Sequence, residues 1–105
     1  MAETFPDEWT QEEFLREKER LGKIGVKVLL IDTILSPIER AQTVLYNPYE
    51  LTHEPEGSVF LFYCDTGKVT KERLEEYRKK FPKHHCISLY GGRGYWRKYM
   101  EINDA

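Results

Sequence analysis

The sequence predicts an α/β fold, a small, mostly parallel sheet with helices on both faces. Three observations lead there. Val28-Leu29-Leu30-Ile31, Val59-Phe60-Leu61-Phe62-Tyr63 and Cys86-Ile87-Ser88-Leu89 are runs of nearly continuous apolar residues, as expected of strands covered on both sides. Charged segments with apolar residues at helical spacing alternate with these runs, which favours parallel strands joined by helices. Each run also ends in polar or turn-forming residues, at Asp32-Thr33, at Cys64 to Gly67 and at Tyr90-Gly91-Gly92.

In chain order, the residues through about Glu8 read as acidic and irregular. Thr10-Gln11-Glu12-Glu13 is a capping box, with Trp9 and Phe14 placed for a hydrophobic staple. A helix follows to about Leu21, stopped by Gly22, with its Glu, Lys and Arg residues on a solvated face. Val26 to Thr33 is a strand. Ser36-Pro37 fits the cap and first turn of a short helix, and Gln42 to Tyr46 has a strand pattern. Asn47-Pro48 starts a turn or helix anchored by Tyr49 and Leu51, and Glu54 to Gly57 is a surface loop. After the strand Ser58 to Tyr63, Thr70 opens a helix with Leu74, Tyr77 and Phe81 on its packed face, ended by Pro82. The third strand and the Gly91-Gly92 turn lead to a last short helix with Trp96, Tyr99 and Met100 on its apolar side.

A length of 105 residues fits one small domain, 1–105. With 40% hydrophobic and 32% charged residues the chain is expected to be soluble and globular. A net charge of −2 without a basic stripe argues against nucleic acid as a partner. No apolar run approaches the ~20 residues that span a bilayer, so no membrane association is expected. The N-terminal residues lack the pattern of a signal peptide, which makes the cytoplasm the expected compartment. Two cysteines are too few for a disulfide framework, and a Cys64–Cys86 bond is disfavoured in a reducing compartment. His84-His85 has no third ligand at a useful spacing, so a solvated pair is expected and no metal. No cofactor is expected.

The chemistry concentrates at Cys64. Ligands in open α/β sheets bind beyond the carboxyl ends of the strands. A cysteine there, followed by a loop of backbone donors and a helix start, favours the thiolate and an anion beside it. Asp65, Thr66, Gly67, Lys68, Val69 and Thr70 form the candidate substrate-binding loop, with Lys68 supplying charge and Thr70 a hydroxyl. Asp32 and Arg93 are candidate rim residues, Asp32 with a structural role toward loop N–H groups. Cys86, inside a strand, reads as a small buried apolar residue, the alternative being a resolving partner for Cys64.

Three stretches resemble the rhodanese-like family. Val28-Leu29-Leu30-Ile31-Asp32 is similar to its early strand ending in aspartate. Phe60-Leu61-Phe62-Tyr63-Cys64-Asp65-Thr66-Gly67-Lys68-Val69-Thr70 is similar to its active-site strand and loop. Leu89-Tyr90-Gly91-Gly92 with Trp96 is similar to its closing motif. The resemblance spans roughly residues 9–101. It implies a single-domain sulfurtransferase in which Cys64 accepts a sulfane sulfur as a persulfide and passes it to a thiol or to cyanide. The implied partners are thiosulfate, polysulfide or persulfidated thiols, together with a protein sulfur acceptor. In this reading the loop N–H groups cradle the terminal sulfur, and Thr70 donates to the persulfide.

The chain departs from the family pattern in three places. Val69 stands where many members carry arginine, and the neighbouring Lys68 cannot grip an oxyanion with two parallel bonds. A persulfide or polysulfide is therefore expected to suit the loop better than thiosulfate. Asp32-Thr33-Ile34 lacks the family's arginine, and Ile38-Glu39-Arg40-Ala41 is a reduced form of another family stretch. These departures leave a catalytically weak or inactive rhodanese-like binding or regulatory domain as the alternative. A phosphatase is less favoured, because Thr70 stands where its loop needs arginine.

Overall fold

Val59–Tyr63 is the middle strand of a five-stranded sheet, and all five of its residues are buried. The structure, a computed structural model, describes residues 4–38 and 41–97. The strands are β1 (Glu8–Trp9), β2 (Val28–Asp32), β3 (Thr43–Leu45), β4 (Val59–Tyr63) and β5 (His85–Leu89). They lie in the order β1-β5-β4-β2-β3, and every pairing is parallel. The helices are α1 (Gln11–Lys23), α2 (Pro48–Thr52), α3 (Lys68–Glu72) and α4 (Leu74–Lys80), followed by a 3₁₀ turn at Arg93–Tyr95.

Side chains alternate across a strand, so each apolar run feeds two cores. Val59, Leu61 and Tyr63 join Phe14 and Leu21 of α1, while Phe60 and Phe62 join Leu51 of α2 and Leu74 and Tyr77 of α4. Both faces are thus covered by helices, as the runs predicted. On the α4 side Phe62 stacks on Tyr77 at 4.0 Å between ring centroids. The Thr10 capping box is formed, Glu13 N–H donating to Thr10 Oγ1 at 3.1 Å and Thr10 N–H to Glu13 Oε1 at 3.0 Å.

Several elements depart from the sequence reading. Glu8–Trp9 is a strand, because Ser88 N–H reaches Asp7 O and Tyr90 N–H reaches Trp9 O. Two residues are too few for a periodic signal. Helix α1 runs through Gly22 to Lys23, and the chain turns at Gly25, where φ is 83°. Ser36 to Ile38 is not helical, and the remainder of that expected helix, Glu39 and Arg40, lies outside the described residues. The segment after the Cys64 loop begins at Lys68 instead of Thr70 and breaks into α3 and α4 at Arg73. Trp96 is extended instead of helical and packs beside Phe14 at 6.0 Å. Gln11 explains this: its side-chain amide takes Arg97 N–H at 2.6 Å and donates to Arg97 O at 2.8 Å, imitating a strand partner. Tyr99 and Met100 lie outside the described residues. His84 and His85 are not a solvated pair either, since His84 stacks on Phe60 at 4.7 Å and His85 meets Phe5 at 4.3 Å.

Candidate active site

The parallel sheet brings the carboxyl ends of β2, β4 and β5 side by side, with β4 between the other two. Cys64 follows β4 directly and is 4% exposed. Thr33 ties the neighbouring strand end to it, its Oγ1 donating to Tyr63 O at 2.7 Å. The chain then turns at Gly67 (φ 84°), which starts α3. Only glycine fits there, because a Cβ would lie 2.7 Å from Leu89 O and 2.9 Å from Gly91 N.

The turn after β5 holds the loop from behind. Arg93 N–H donates to Cys64 O at 2.8 Å and Gly94 N–H to Asp65 O at 2.9 Å. Gly92 sits so close that a Cβ would collide with Cys64 O and Gly67 N. With these carbonyls held outward by the turn, loop donors face the sulfur. Gly67 N–H donates to Cys64 Sγ at 3.2 Å, and Thr70 Oγ1 lies 3.6 Å from it. Burial pushes the Cys64 thiol up, but the Thr70 N–H, the Thr70 hydroxyl and the N–H groups of Gly67 and Thr66 outweigh it. The net result is a pKa below that of an ordinary thiol. α3 is only 5 residues long, so these direct donors carry the effect and not an extended helix dipole.

Ser88 belongs to this group and was not singled out by the sequence. Its Oγ lies 2.8 Å from Thr70 Oγ1 and 3.5 Å from Gly67 O, and both hydroxyl residues are fully buried. When Ser88 donates to Thr70, the Thr70 proton is left for the cysteine sulfur, at 3.6 Å, or for Gly67 O, at 3.4 Å. The signal was available: a serine inside an apolar strand buried on both faces needs a polar partner.

The other candidates fall into two groups. Thr66, Gly67 and Thr70 converge on Sγ. Asp65, Lys68 and Val69 are exposed, and Lys68 faces a cavity of about 380 Å³ outside the loop, shared with Lys71, Tyr90 and Tyr95. Cys64 does not line that cavity. Asp32 is 2% exposed and accepts Ile34 N–H at 2.8 Å, inside the strand end and away from any rim. The Arg93 side chain donates to Ser36 O and Pro37 O, each at 3.1 Å, and so fixes the loop after β2. Tyr63 fixes the same loop, its hydroxyl donating to Ser36 O at 2.7 Å. Burial and the nearby Asp32 carboxylate raise the Tyr63 pKa, keeping it a donor.

Cys86 is free and faces the α4 side among Phe60, Phe62 and Phe81. It pairs in register with Phe60, four residues before Cys64. That offset is about 13 Å along the sheet, and a disulfide needs Cα atoms within about 7 Å. The alternative of a resolving partner for Cys64 is thereby removed.

A scan of family models finds none that matches this chain, and a search of curated proteins likewise finds no match. Among solved structures the chain is similar to a rhodanese homolog from the extremely thermophilic bacterium Thermus thermophilus. The TM-score is 0.51 at 18% identity, over 83% of this chain and 96% of that one. At that identity the likeness bears on the fold, and the fold is rhodanese-like: α/β with a parallel sheet covered on both faces.

Proposed function

We propose that this chain is a sulfurtransferase that carries sulfane sulfur as a persulfide on Cys64. The observation that carries the reading is the set of donors around Sγ: Thr66, Gly67 and Thr70 shift its ionisation toward the thiolate although it is nearly excluded from solvent. A thiolate at the floor of a donor-lined loop is a nucleophile beside a place for a second anion.

Loading begins when the Cys64 thiolate attacks the outer sulfur of a persulfide, R–S–SH. A bond forms between Sγ and that sulfur, the donor's S–S bond breaks, and the donor leaves as R–S⁻. The loop N–H groups and the Thr70 hydroxyl then stabilise the charge wherever it rests along Cys64–S–SH. Transfer is the reverse step with a different thiolate, or with cyanide, as attacking group. Lys68 draws anions toward the loop at long range, and a two-pronged oxyanion clamp is not supplied at Val69. The reading therefore favours polysulfide or persulfide donors over thiosulfate.

The test is mass spectrometry after anaerobic incubation with polysulfide, glutathione persulfide or thiosulfate. One added sulfur is expected on Cys64, readily from the first two donors and slowly from thiosulfate. Cys64→Ser is expected to abolish both the adduct and sulfur delivery to cyanide. Unchanged sulfur delivery by Cys64→Ser would overturn the proposal.

A further inference from the structure

We propose that the loop after β2, residues 34–37, is a gate over the carboxyl end of β4, held shut by the side chains of Tyr63 and Arg93, and that Cys64 reacts when this gate opens. The inference concerns access to Cys64 and goes beyond the sulfur-transfer reading, on which it rests only for the identity of the reacting group. Cys64 is 4% exposed, and the cavity outside its loop does not reach it. A reagent as large as a sulfur donor therefore needs part of the surrounding structure to move.

The walls around Cys64 are fastened in two different ways. Its own loop and the turn after β5 are joined through the backbone, Arg93 N–H donating to Cys64 O and Gly94 N–H to Asp65 O. Residues 35–37 make no backbone–backbone hydrogen bond with any described residue. Side chains hold them instead. The Tyr63 hydroxyl donates to Ser36 O at 2.7 Å, and the Arg93 guanidinium donates to Ser36 O and Pro37 O, each at 3.1 Å. The two ends of the loop are fixed more firmly. Thr33 donates to Tyr63 O through both its N–H and its hydroxyl, and Ile38 is 5% exposed in the core beneath α1.

Strand order places the latch. Arg93 follows β5 and the loop follows β2, with β4 between them. The two outer strands are about 10 Å apart, twice the spacing of neighbours in a sheet. The Arg93 side chain bridges that distance, so the latch crosses the end of β4, where Cys64 sits. Tyr63 points to the α1 side of the sheet, whereas Phe60, Phe62 and, by the same alternation, Cys64 point to the α4 side. The gate thus roofs the strand end without touching the sulfur, and its release changes access while leaving the Sγ donors in place. Leu35 shows that the closed gate is strained. Its φ is 56°, in the left-handed region, yet it is 77% exposed, so burial of its side chain does not fix it there. Backbone of this kind persists where its surroundings determine it, and here the bonds to Ser36 and Pro37 do so. A strained segment held by a few side-chain bonds opens without unfolding the sheet.

The test is alkylation of Cys64 by iodoacetamide over a series of pH values, with Cys86 in the same molecule as internal reference and each cysteine followed by mass spectrometry of its peptide. Cys86 lies in the core on the α4 side among Phe60, Phe62 and Phe81, where opening the gate does not expose it. Arg93→Ala is expected to speed Cys64 alkylation about tenfold, the scale of one hydrogen bond from a charged group. The pH midpoint and the Cys86 rate are expected to stay where they are. Tyr63→Phe removes one bond and no charge, and is expected to speed Cys64 by a smaller factor. Leu35→Asn, which suits the left-handed backbone, relieves the closed gate and is expected to slow Cys64 about fivefold. Acceleration of Cys64 and Cys86 together in Arg93→Ala would show that Arg93 holds the fold and not a gate, and would overturn the proposal. So would a moved pH midpoint with an unchanged limiting rate, or Leu35→Asn reacting as fast as wild type. Sulfur uptake from glutathione persulfide is measured on the same proteins. If Cys64 takes up no sulfur but alkylation follows the expected pattern, the sulfur-transfer reading fails and the gate stands. If uptake occurs and alkylation is the same in every variant, the gate alone fails.

Discussion

Cys64 and Cys86 come from neighbouring strands of one sheet, both free and both nearly excluded from water, at 4% and 3% exposure. Burial pushes both thiols up. At Cys86 the opposing influence is the charge of Arg78, which is too weak, and the pKa is pushed up to about 12. At Cys64 the same push is overcome by Thr70, Gly67 and Thr66. The two sites therefore separate burial from activation. A buried cysteine is inert unless the backbone beyond it turns its N–H groups inward, and that turn is made after β4 and not within β5.

The largest expected break in this contrast comes from the turn itself. Gly67→Ala adds a Cβ 2.7 Å from Leu89 O at a residue with φ 84°. The left-handed backbone alone costs roughly 1–2 kcal/mol, and the collision brings the expected loss to roughly 3 kcal/mol. Urea unfolding should show that loss, and sulfur loading should disappear as the donors swing away from Sγ. Gly57→Ala is the control, since φ is 90° there but no atom lies within 4 Å of the added Cβ. It should lose only the backbone cost and keep full loading.

A smaller effect is expected from the hydroxyl pair. Thr70→Val keeps shape and removes the proton donor 3.6 Å from Sγ. One hydrogen bond to a charged group is worth about 1.5 kcal/mol, so loading at neutral pH should fall about tenfold. The pH profile of Cys64 alkylation should move upward, because a donor that holds the pKa down is gone. Ser88→Ala leaves the Thr70 hydroxyl free to turn toward Gly67 O, 3.4 Å away, and should slow loading by a smaller factor in the same direction. An unmoved profile in Thr70→Val would mean that the backbone N–H groups act alone.

The layered sheet was legible because Val28 to Ile31 and Val59 to Tyr63 are apolar at every position, a pattern that only strands buried on two faces require. The candidate nucleophile was legible because a cysteine ends such a run before a glycine turn. What escaped was either short or held by tertiary contact. Glu8–Trp9 has no periodicity, and the extended course of Trp96 depends on Gln11, near the other end of the chain. Arg93 was placed at the rim by its neighbours in sequence, but its guanidinium is spent on the Ser36 loop. Ser88 was passed over because its partner, Thr70, comes from another element, although the strand pattern implied that some partner exists.

The smallest effect concerns Cys86 and has a definite sign. Its folded pKa, about 12, lies above the roughly 8.5 of an unfolded cysteine. The folded chain then holds a proton that the unfolded chain releases between those values. Stability from this thiol is complete below about pH 8.5 and declines as pH rises toward 12. At pH 10 the decline should be roughly 1 kcal/mol, since each unit is worth about 1.4 kcal/mol before water entry softens it. Lysines and tyrosines titrate in the same range, so the measurement is a difference: urea unfolding of wild type against Cys86→Ala at pH 8 and pH 10. The gap between the two proteins should narrow at the higher pH. Cys64 runs the other way, because a thiol with a lowered pKa adds stability above its unfolded value and loses it as pH falls through the folded one. The gap between wild type and Cys64→Ser should therefore widen as pH rises from the folded pKa toward the unfolded one and stay constant above it. Two cysteines one strand apart would then report opposite slopes on one pH axis, and parallel slopes would show that the donors around Sγ do not set its charge.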